Sequence, residues 1–226
     1  MQYFNVHAFL GYLGNGFLLG GVGVTIELTI IAVIGGLLLG MAIALLRMSR
    51  SRPLQWAAGF YIWLFRGTPL LIQLVVIYTG LPQVGIKLGA MQTAVAGLIL
   101  HEAGYMAEIV RSGFMSVPAG QREAGLALSL GRGTAFWRVI LPQAFRLMIP
   151  PLGNSINGLL KATSLASVIS VEEIMRRSDM LMQQQFQTLE VYAAAAVYYL
   201  ILTTLWDAVQ RPLERHFGRF ILAKSR

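Results

Sequence analysis

The chain has 226 residues, of which 56% are hydrophobic and only 12% charged, and its formal net charge is +8. So few charges exclude an ordinary soluble domain. Apolar runs long enough to cross a bilayer alternate with short basic segments, which predicts an all-α integral membrane protein. The chain has no cysteine, which excludes disulfides and thiolate metal sites. We attribute the positive charge to membrane topology and predict no nucleic-acid partner.

Five membrane spans are predicted within a single transmembrane domain that covers residues 1–226. Their approximate bounds are residues 17–46, 54–81, 90–110, 143–160 and 189–209. The first residues have no basic n-region and no cleavage site, so a removable signal peptide is not expected.

Basic residues predict the orientation, because they concentrate in cytoplasmic loops. With the N-terminus outside and the C-terminus inside, thirteen of the 18 Lys and Arg residues are cytoplasmic: Arg47, Arg50, Arg52, Arg111, Arg122, Arg132, Arg138, Arg146, Arg211, Arg215, Arg219, Lys224 and Arg226. The opposite orientation would reverse this bias.

Small residues recur at every fourth position of the first predicted span, at Ala32, Gly36, Gly40 and Ala44. On a helix this spacing forms one stripe, which lets another helix approach closely. The other helix belongs either to the same chain or to a second copy, and we favour packing within the chain.

The second apolar region is interrupted by the sequence FRGTP, residues 65–69. Because proline suits the first turn of a helix and disfavours helical geometry before it, we predict a break at Arg66, Gly67 and Thr68 and a new helix from Pro69. A broken helix at membrane depth faces protein or a water-filled cavity, and its free N–H groups suit a carboxylate. Alternatively, Arg66 only anchors a helix end among the lipid headgroups.

The third predicted span contains His101 and Glu102 at depth. Ionisable groups inside a membrane are costly and usually face the interior of the bundle, so both are candidates for a pocket. Adjacent helical residues point about 100° apart, and we therefore predict no metal site there. In the fourth span, Pro150 and Pro151 are expected to kink or break the helix.

A polar segment, residues 116–135, separates the third and fourth spans. Here Glu123-Ala124-Gly125, followed by Leu141-Pro142 eighteen residues after Glu123, resembles the EAA signature of ABC-importer permeases. FRGTPLLIQL (65–74), GYMAEIVRSGFMSVPAGQREA (104–124), LPQAFR (141–146) and LLKATSLASVIS (159–170) resemble the polar amino-acid uptake branch of that family. The chain departs from the signature at Gly125, at Ser129, where the family has glycine, and at Val139. We therefore expect the turn after the helix to be displaced toward Gly131.

The resemblance implies a type I ABC-importer permease fold, in which residues around 119–130 form a cytoplasmic coupling helix. The residues expected to contact an ATPase are Pro118, Gly120, Gln121, Glu123, Ala124, Gly125, Ser129 and Gly131. The chain has no phosphate-binding loop, so it is not expected to be an enzyme. The implied partners are two cytoplasmic ABC ATPase subunits that bind ATP and Mg²⁺, a second permease, a periplasmic binding protein and the lipid of the bacterial inner membrane.

An amino-acid substrate requires oriented donors and acceptors in a largely apolar pocket. We predict that Arg66, Thr68 and Lys161 hold its carboxylate end. His101, Glu102, Asn154 and Asn157 are predicted to contact its side chain. The full set of predicted substrate residues is Arg66, Gly67, Thr68, Gln73, His101, Glu102, Asn154, Asn157, Lys161, Thr163 and Ser164. Lys161 has an alternative role as a side chain that reaches the membrane interface.

Three alternative functions can be compared with the sequence. A permease of this kind for another small polar solute would have the same signature. A secondary transporter independent of ATP would require internal repeats, and no convincing repeat is found. A purely structural membrane anchor would need neither a broken second span nor polar residues in the third and fourth spans.

Overall fold

The computed structural model describes residues 4–222, without the side chains of residues 122, 126 and 218–222. The secondary structure in this range is entirely helical. The α-helices are α1 (Val6–Leu13), α2 (Gly16–Arg47), α3 (Arg52–Gly67), α4 (Leu70–Val75), α5 (Ala90–Met115), α6 (Ala119–Ala127), α7 (Arg132–Ala135), α8 (Leu141–Ala162), α9 (Ile174–Gln185) and α10 (Thr188–Leu222). Shorter π and 3₁₀ turns extend α4 over Val76–Gly80 and Leu81–Val84, join α7 to α8 over Phe136–Ile140, and follow α8 over Thr163–Ile169.

Within residues 4–222, two helices are long and apolar enough to cross a membrane, namely α2 and the Thr188–Phe217 part of α10. The bent pair Arg52–Gly67 and Leu70–Val84 provides a third candidate if it counts as one span. Helices α5 and α8 have 26 and 22 residues but contain more polar side chains. These two helices pack against α2, α3 and α10, and such neighbours shield polar groups from lipid.

The small-residue stripe of α2 packs against α5 of the same chain. Ala32 and Ala44 are fully buried. A Cβ atom added at Gly36 would lie 2.9 Å from the Cβ of Glu102, and one added at Gly40 would lie 2.6 Å from the Cβ of Met106. This close approach confirms the expectation that the stripe serves packing within the chain.

The predicted break in the second apolar region is confirmed. Helix α3 ends at Gly67, and α4 begins at Leu70 after extended backbone at Thr68 and Pro69. The two helical segments on either side of the break are bent by 103°. Because both segments also pack against α5, the break turns the chain sharply beside the middle of the bundle.

Pro150 and Pro151 of the fourth predicted span were expected to kink or break the helix. The structure shows no break. Helix α8 continues through Pro150 and Pro151. Ala144, Met148 and Leu159 of α8 are buried in the protein core on either side of the prolines. Tertiary packing along both halves stabilises the helix although proline removes backbone donors.

The turn after α6 lies at Ser129, so the expected displacement toward Gly131 is wrong. Ser129 adopts the left-handed conformation with φ 54°, and the Leu130 N–H donates to the Gly125 carbonyl at 3.0 Å. This is the hydrogen bond of a Schellman motif, in which glycine is the preferred left-handed residue. Gly131 instead precedes the first residue of α7.

Replacing Ser129 with glycine is expected to stabilise the protein by about 0.5–1 kcal/mol, because a left-handed residue with a Cβ atom is strained. The unfolding midpoint in detergent is expected to rise by about 1–4 °C. Ser116→Gly is the matched control, since Ser116 has an ordinary φ of −77°. An equal rise in both variants would contradict the strain at Ser129.

Candidate functional site

A cavity of about 400 Å³ lies between α5 and α8. Helix α5 contributes His101, Glu102 and Tyr105 to its wall, and α8 contributes Pro151, Asn154, Ser155 and Gly158. The helical spacing brings these side chains to facing sides of two adjacent helices. The cavity is therefore lined by polar side chains from two long, adjacent helices.

Glu102 provides the buried acidic group of this cavity. Only 4% of the residue is exposed, and its Oε1 accepts a hydrogen bond from the Ser155 hydroxyl of α8. One bond of this kind leaves acceptor capacity on the carboxylate, which has about four lone-pair sites. Glu102 can therefore accept hydrogen bonds from a cationic group in the cavity.

Arg66 supplies a positive charge close to the same cavity. Its guanidinium carbon lies 5.2 Å from the ring centroid of Tyr105, which lines the cavity. This is a cation–π contact between the end of α3 and the middle of α5. Arg66 itself is exposed, so its remaining donors are accessible.

Two further predicted residues connect the break to α5. The Gln73 amide nitrogen donates to Thr68 Oγ1 at 2.8 Å, and the Gln73 oxygen lies 3.1 Å from His101 Nδ1. The Thr68 hydroxyl also donates to the Leu64 carbonyl. Thr68 and Gln73 therefore form hydrogen bonds within the break, whereas His101 lies between the break and the cavity.

The other predicted substrate residues do not line this cavity: Arg66, Gly67, Thr68, Gln73, Asn157, Lys161, Thr163 and Ser164. Asn157 donates to Asp207 of α10 at 2.8 Å. The hydroxyls of Thr163 and Ser164 donate to backbone carbonyls three residues earlier. Lys161 is exposed, and its predicted role in holding a carboxylate stays a prediction.

Four further residues that line the cavity were not predicted from the sequence: Tyr105, Pro151, Ser155 and Gly158. The sequence does carry a signal for them, because Pro151, Ser155 and Gly158 follow one another at spacings of four and three on α8, and His101 and Tyr105 are four apart on α5. Each set thus forms a stripe on one face of its helix.

Most of the predicted ATPase-contacting residues are exposed, either on α6 or close to its ends. Pro118, Gly120, Glu123, Ala124, Ser129 and Gly131 are exposed. Gln121 accepts a hydrogen bond from Gln143 of α8, and Gly125 is buried beside Ala135. Leu128, which is not among the predicted residues, is 74% exposed next to the end of α6. The described side chains of this segment thus form a surface of small residues that includes the Glu123 carboxylate and the apolar Leu128.

The long apolar helices, the broken helix and a cavity with a few polar groups between α5 and α8 are typical of a membrane transport protein. Residues 36–219 match the family model described as binding-protein-dependent transport system inner membrane component. The chain belongs to this family, whose members are the membrane components of transport systems and not enzymes themselves. The ABC-importer permease family predicted from the sequence is thereby confirmed.

Similar proteins support the same family. The chain is 42% identical over 203 residues to the L-cystine transport system permease protein TcyB of Bacillus subtilis (strain 168), covering 89% of this chain and 87% of the relative. It is 37% identical over 203 residues to the arginine transport system permease protein ArtQ of the same organism, covering 88% and 93%.

Solved structures share the fold. A crystal structure of an amino acid ABC transporter with histidines matches with a TM-score of 0.89 and 34% identity, covering 96% of this chain and all of the other. The MetNI methionine ABC transporter in an inward-facing conformation matches at a TM-score of 0.74 and 21% identity, covering 90% and 97%, which shows the fold alone. With the named relatives, these matches confirm the prediction of an amino-acid ABC transporter permease.

Proposed function

We propose that this chain moves a polar amino acid from the periplasm to the cytoplasm by alternating access, as the permease subunit of an ATP-driven importer. One observation carries the proposal: the cavity has the buried Glu102 carboxylate in its wall and the Arg66 guanidinium over Tyr105 beside it. A negative charge in the cavity wall and a positive charge beside the cavity complement the ammonium and carboxylate groups of an amino acid. Relatives named for cystine and arginine transport support this substrate class.

The proposal includes five membrane crossings in the bacterial inner membrane, with the N-terminus outside. The crossings are α2, the bent pair of α3 and α4, α5, α8 and α10. The distribution of Lys and Arg supports this orientation, because it leaves most of them, including those after α2 and along the end of α10, in the cytoplasm. Residues 116–135 then lie in the cytoplasm.

The proposed partners follow from this topology. Two ABC ATPase subunits contact α6 and supply the ATP and Mg²⁺ binding that the chain lacks. A second permease, identical or related, completes the membrane pathway within the lipid, and a periplasmic binding protein delivers the substrate. The exposed Glu123 on α6 and the exposed Leu128 just after it support an interface there, because an exposed apolar side chain rimmed by polar groups is typical of a docking surface.

Charge reversal by Glu123→Lys tests the proposed ATPase contact. We expect the amount of ATPase subunit that co-purifies with the permease to fall at least ~10-fold, which corresponds to about 1.4 kcal/mol of binding free energy. ATP-dependent uptake is expected to fall in proportion. The measurement is quantitative co-purification from detergent, followed by uptake in proteoliposomes.

The matched control is Glu172→Lys, since Glu172 is an exposed carboxylate outside the segment and is proposed to lie on the periplasmic side. Full ATPase retention in the Glu123→Lys variant, or equal loss in the control, would refute the assignment of α6. The secondary-transporter alternative predicts that Glu123→Lys leaves uptake unchanged.

A further inference from the structure

The side-chain amide nitrogen of Gln73 forms hydrogen bonds across the break between α3 and α4. This nitrogen lies 2.9 Å from the Phe65 carbonyl oxygen, 3.1 Å from the Thr68 carbonyl oxygen and 2.8 Å from Thr68 Oγ1. The residue is 8% exposed. A carboxamide donates only through its nitrogen, so the reverse orientation would place its oxygen against two backbone carbonyl oxygens. The orientation of the Gln73 amide is therefore fixed.

This orientation determines where the proton on His101 lies. The Gln73 oxygen, which only accepts hydrogen bonds, lies 3.1 Å from His101 Nδ1. Nδ1 must carry the proton to complete this bond, and a neutral imidazole carries only one. The lone pair then resides on Nε2, and His101 is one of the residues that line the cavity.

The cavity wall formed by α5 consequently holds an acceptor in His101, next in sequence to the Glu102 carboxylate, to which the proposed function assigns the substrate ammonium group. A substrate side chain that donates a hydrogen bond satisfies the His101 acceptor, whereas an acidic side chain places further oxygen atoms against it. Sites built around buried hydrogen-bonding groups discriminate strongly against ligands that leave those groups unpaired.

We propose that Gln73 is a positioning residue that holds His101 as the Nδ1-protonated tautomer and thereby selects substrates with donor-bearing side chains. The substrate class is amino acids with an ammonium, guanidinium, imidazole N–H or amide group, with acidic amino acids disfavoured at least ~10-fold. The selectivity for donor-bearing side chains rests on the proposed function of the cavity, whereas the assignment of the His101 tautomer does not.

The test uses the full permease assembled with its ATPase subunits in lipid nanodiscs. The chain has three histidines, so replacing His7 and His216 with glutamine leaves His101 as the only ¹⁵N-histidine signal of the permease. We expect the ¹⁵N shifts to show a protonated Nδ1 and an unprotonated Nε2. In Gln73→Met, which cannot accept the bond, we expect the Nε2-protonated form to appear. A native ring protonated at Nε2 or at both nitrogens overturns the proposal.

Selectivity is measured as the ratio of apparent affinities for lysine and glutamate in substrate-stimulated ATPase assays. We expect this ratio to fall ~10-fold in Gln73→Met and to stay unchanged in Gln92→Met, since Gln92 bonds only the N-terminal end of α5 at Gly89. An unchanged ratio in Gln73→Met overturns the selectivity. If no amino acid stimulates the native complex, the proposed function fails, while the ¹⁵N shifts still decide the tautomer.

Discussion

Replacing Glu102 with glutamine is expected to lower the uptake efficiency, kcat/KM, of the assembled transporter by about 10- to 100-fold. Glutamine keeps the size of the side chain and can still accept from the Ser155 hydroxyl. It lacks the negative charge that the proposed function assigns to the substrate ammonium group. Hydrogen bonds to charged groups contribute about 1.5–3 kcal/mol, which sets the expected loss.

Glu108→Gln is the matched control for this prediction. Glu108 lies on the same helix but pairs with Arg111 at 2.8 Å and does not line the cavity. Both variants should be produced at native levels, because each exchange preserves the shape of the side chain. Equal transport by the Glu102 variant and the native protein would show that the carboxylate does not contact the substrate.

Replacing Gly40 with valine is expected to destabilise the protein strongly. A Cβ atom at this position would lie 2.6 Å from the Met106 Cβ, 2.9 Å from the Ala103 carbonyl oxygen and 3.0 Å from the Ala107 backbone nitrogen. Two of these neighbours are backbone atoms of α5, which cannot move aside as a flexible side chain does. Relief requires α2 and α5 to separate, and overpacking of this kind costs about 3 kcal/mol or more.

The measurement is the unfolding midpoint of the purified protein in detergent, together with the yield of monodisperse protein. A loss of about 3 kcal/mol lowers the midpoint by about 6–12 °C. Gly23→Val is the control on the same helix, because a Cβ atom there would meet nothing within 4 Å. A Gly40→Val protein with native yield and midpoint would contradict the close α2–α5 packing.

The break and the packing seam were predictable because local residues determine them. Pro69 restricts the residue before it and starts a new helix, and the FRGTP sequence predicted the break at the position where α3 ends. Likewise, a four-residue repeat of small side chains shows which face of α2 another helix approaches. The partner helix could not be identified from this repeat, because the spacing is the same for an internal and an external partner.

The cavity was predicted only in part, because sequence marks polar residues in spans but not the directions in which they point. His101, Glu102 and Asn154 line the cavity as expected. Asn157 instead donates a hydrogen bond to Asp207 of α10. The position of the turn after α6 was not predictable for a similar reason. Glycine is the preferred residue for a left-handed turn, which favoured Gly131, but the turn lies at Ser129.

Uptake of a labelled amino acid into proteoliposomes tests the central claim most directly. The vesicles contain the permease with its ATPase subunits and enclosed ATP, and the binding protein is added outside with acidic, basic, amide and sulfur amino acids in turn. We predict accumulation of at least one polar amino acid that requires the ATPase subunits, ATP and the binding protein together. Accumulation by the permease without ATPase subunits, or a fully assembled complex that imports no amino acid, would contradict the account.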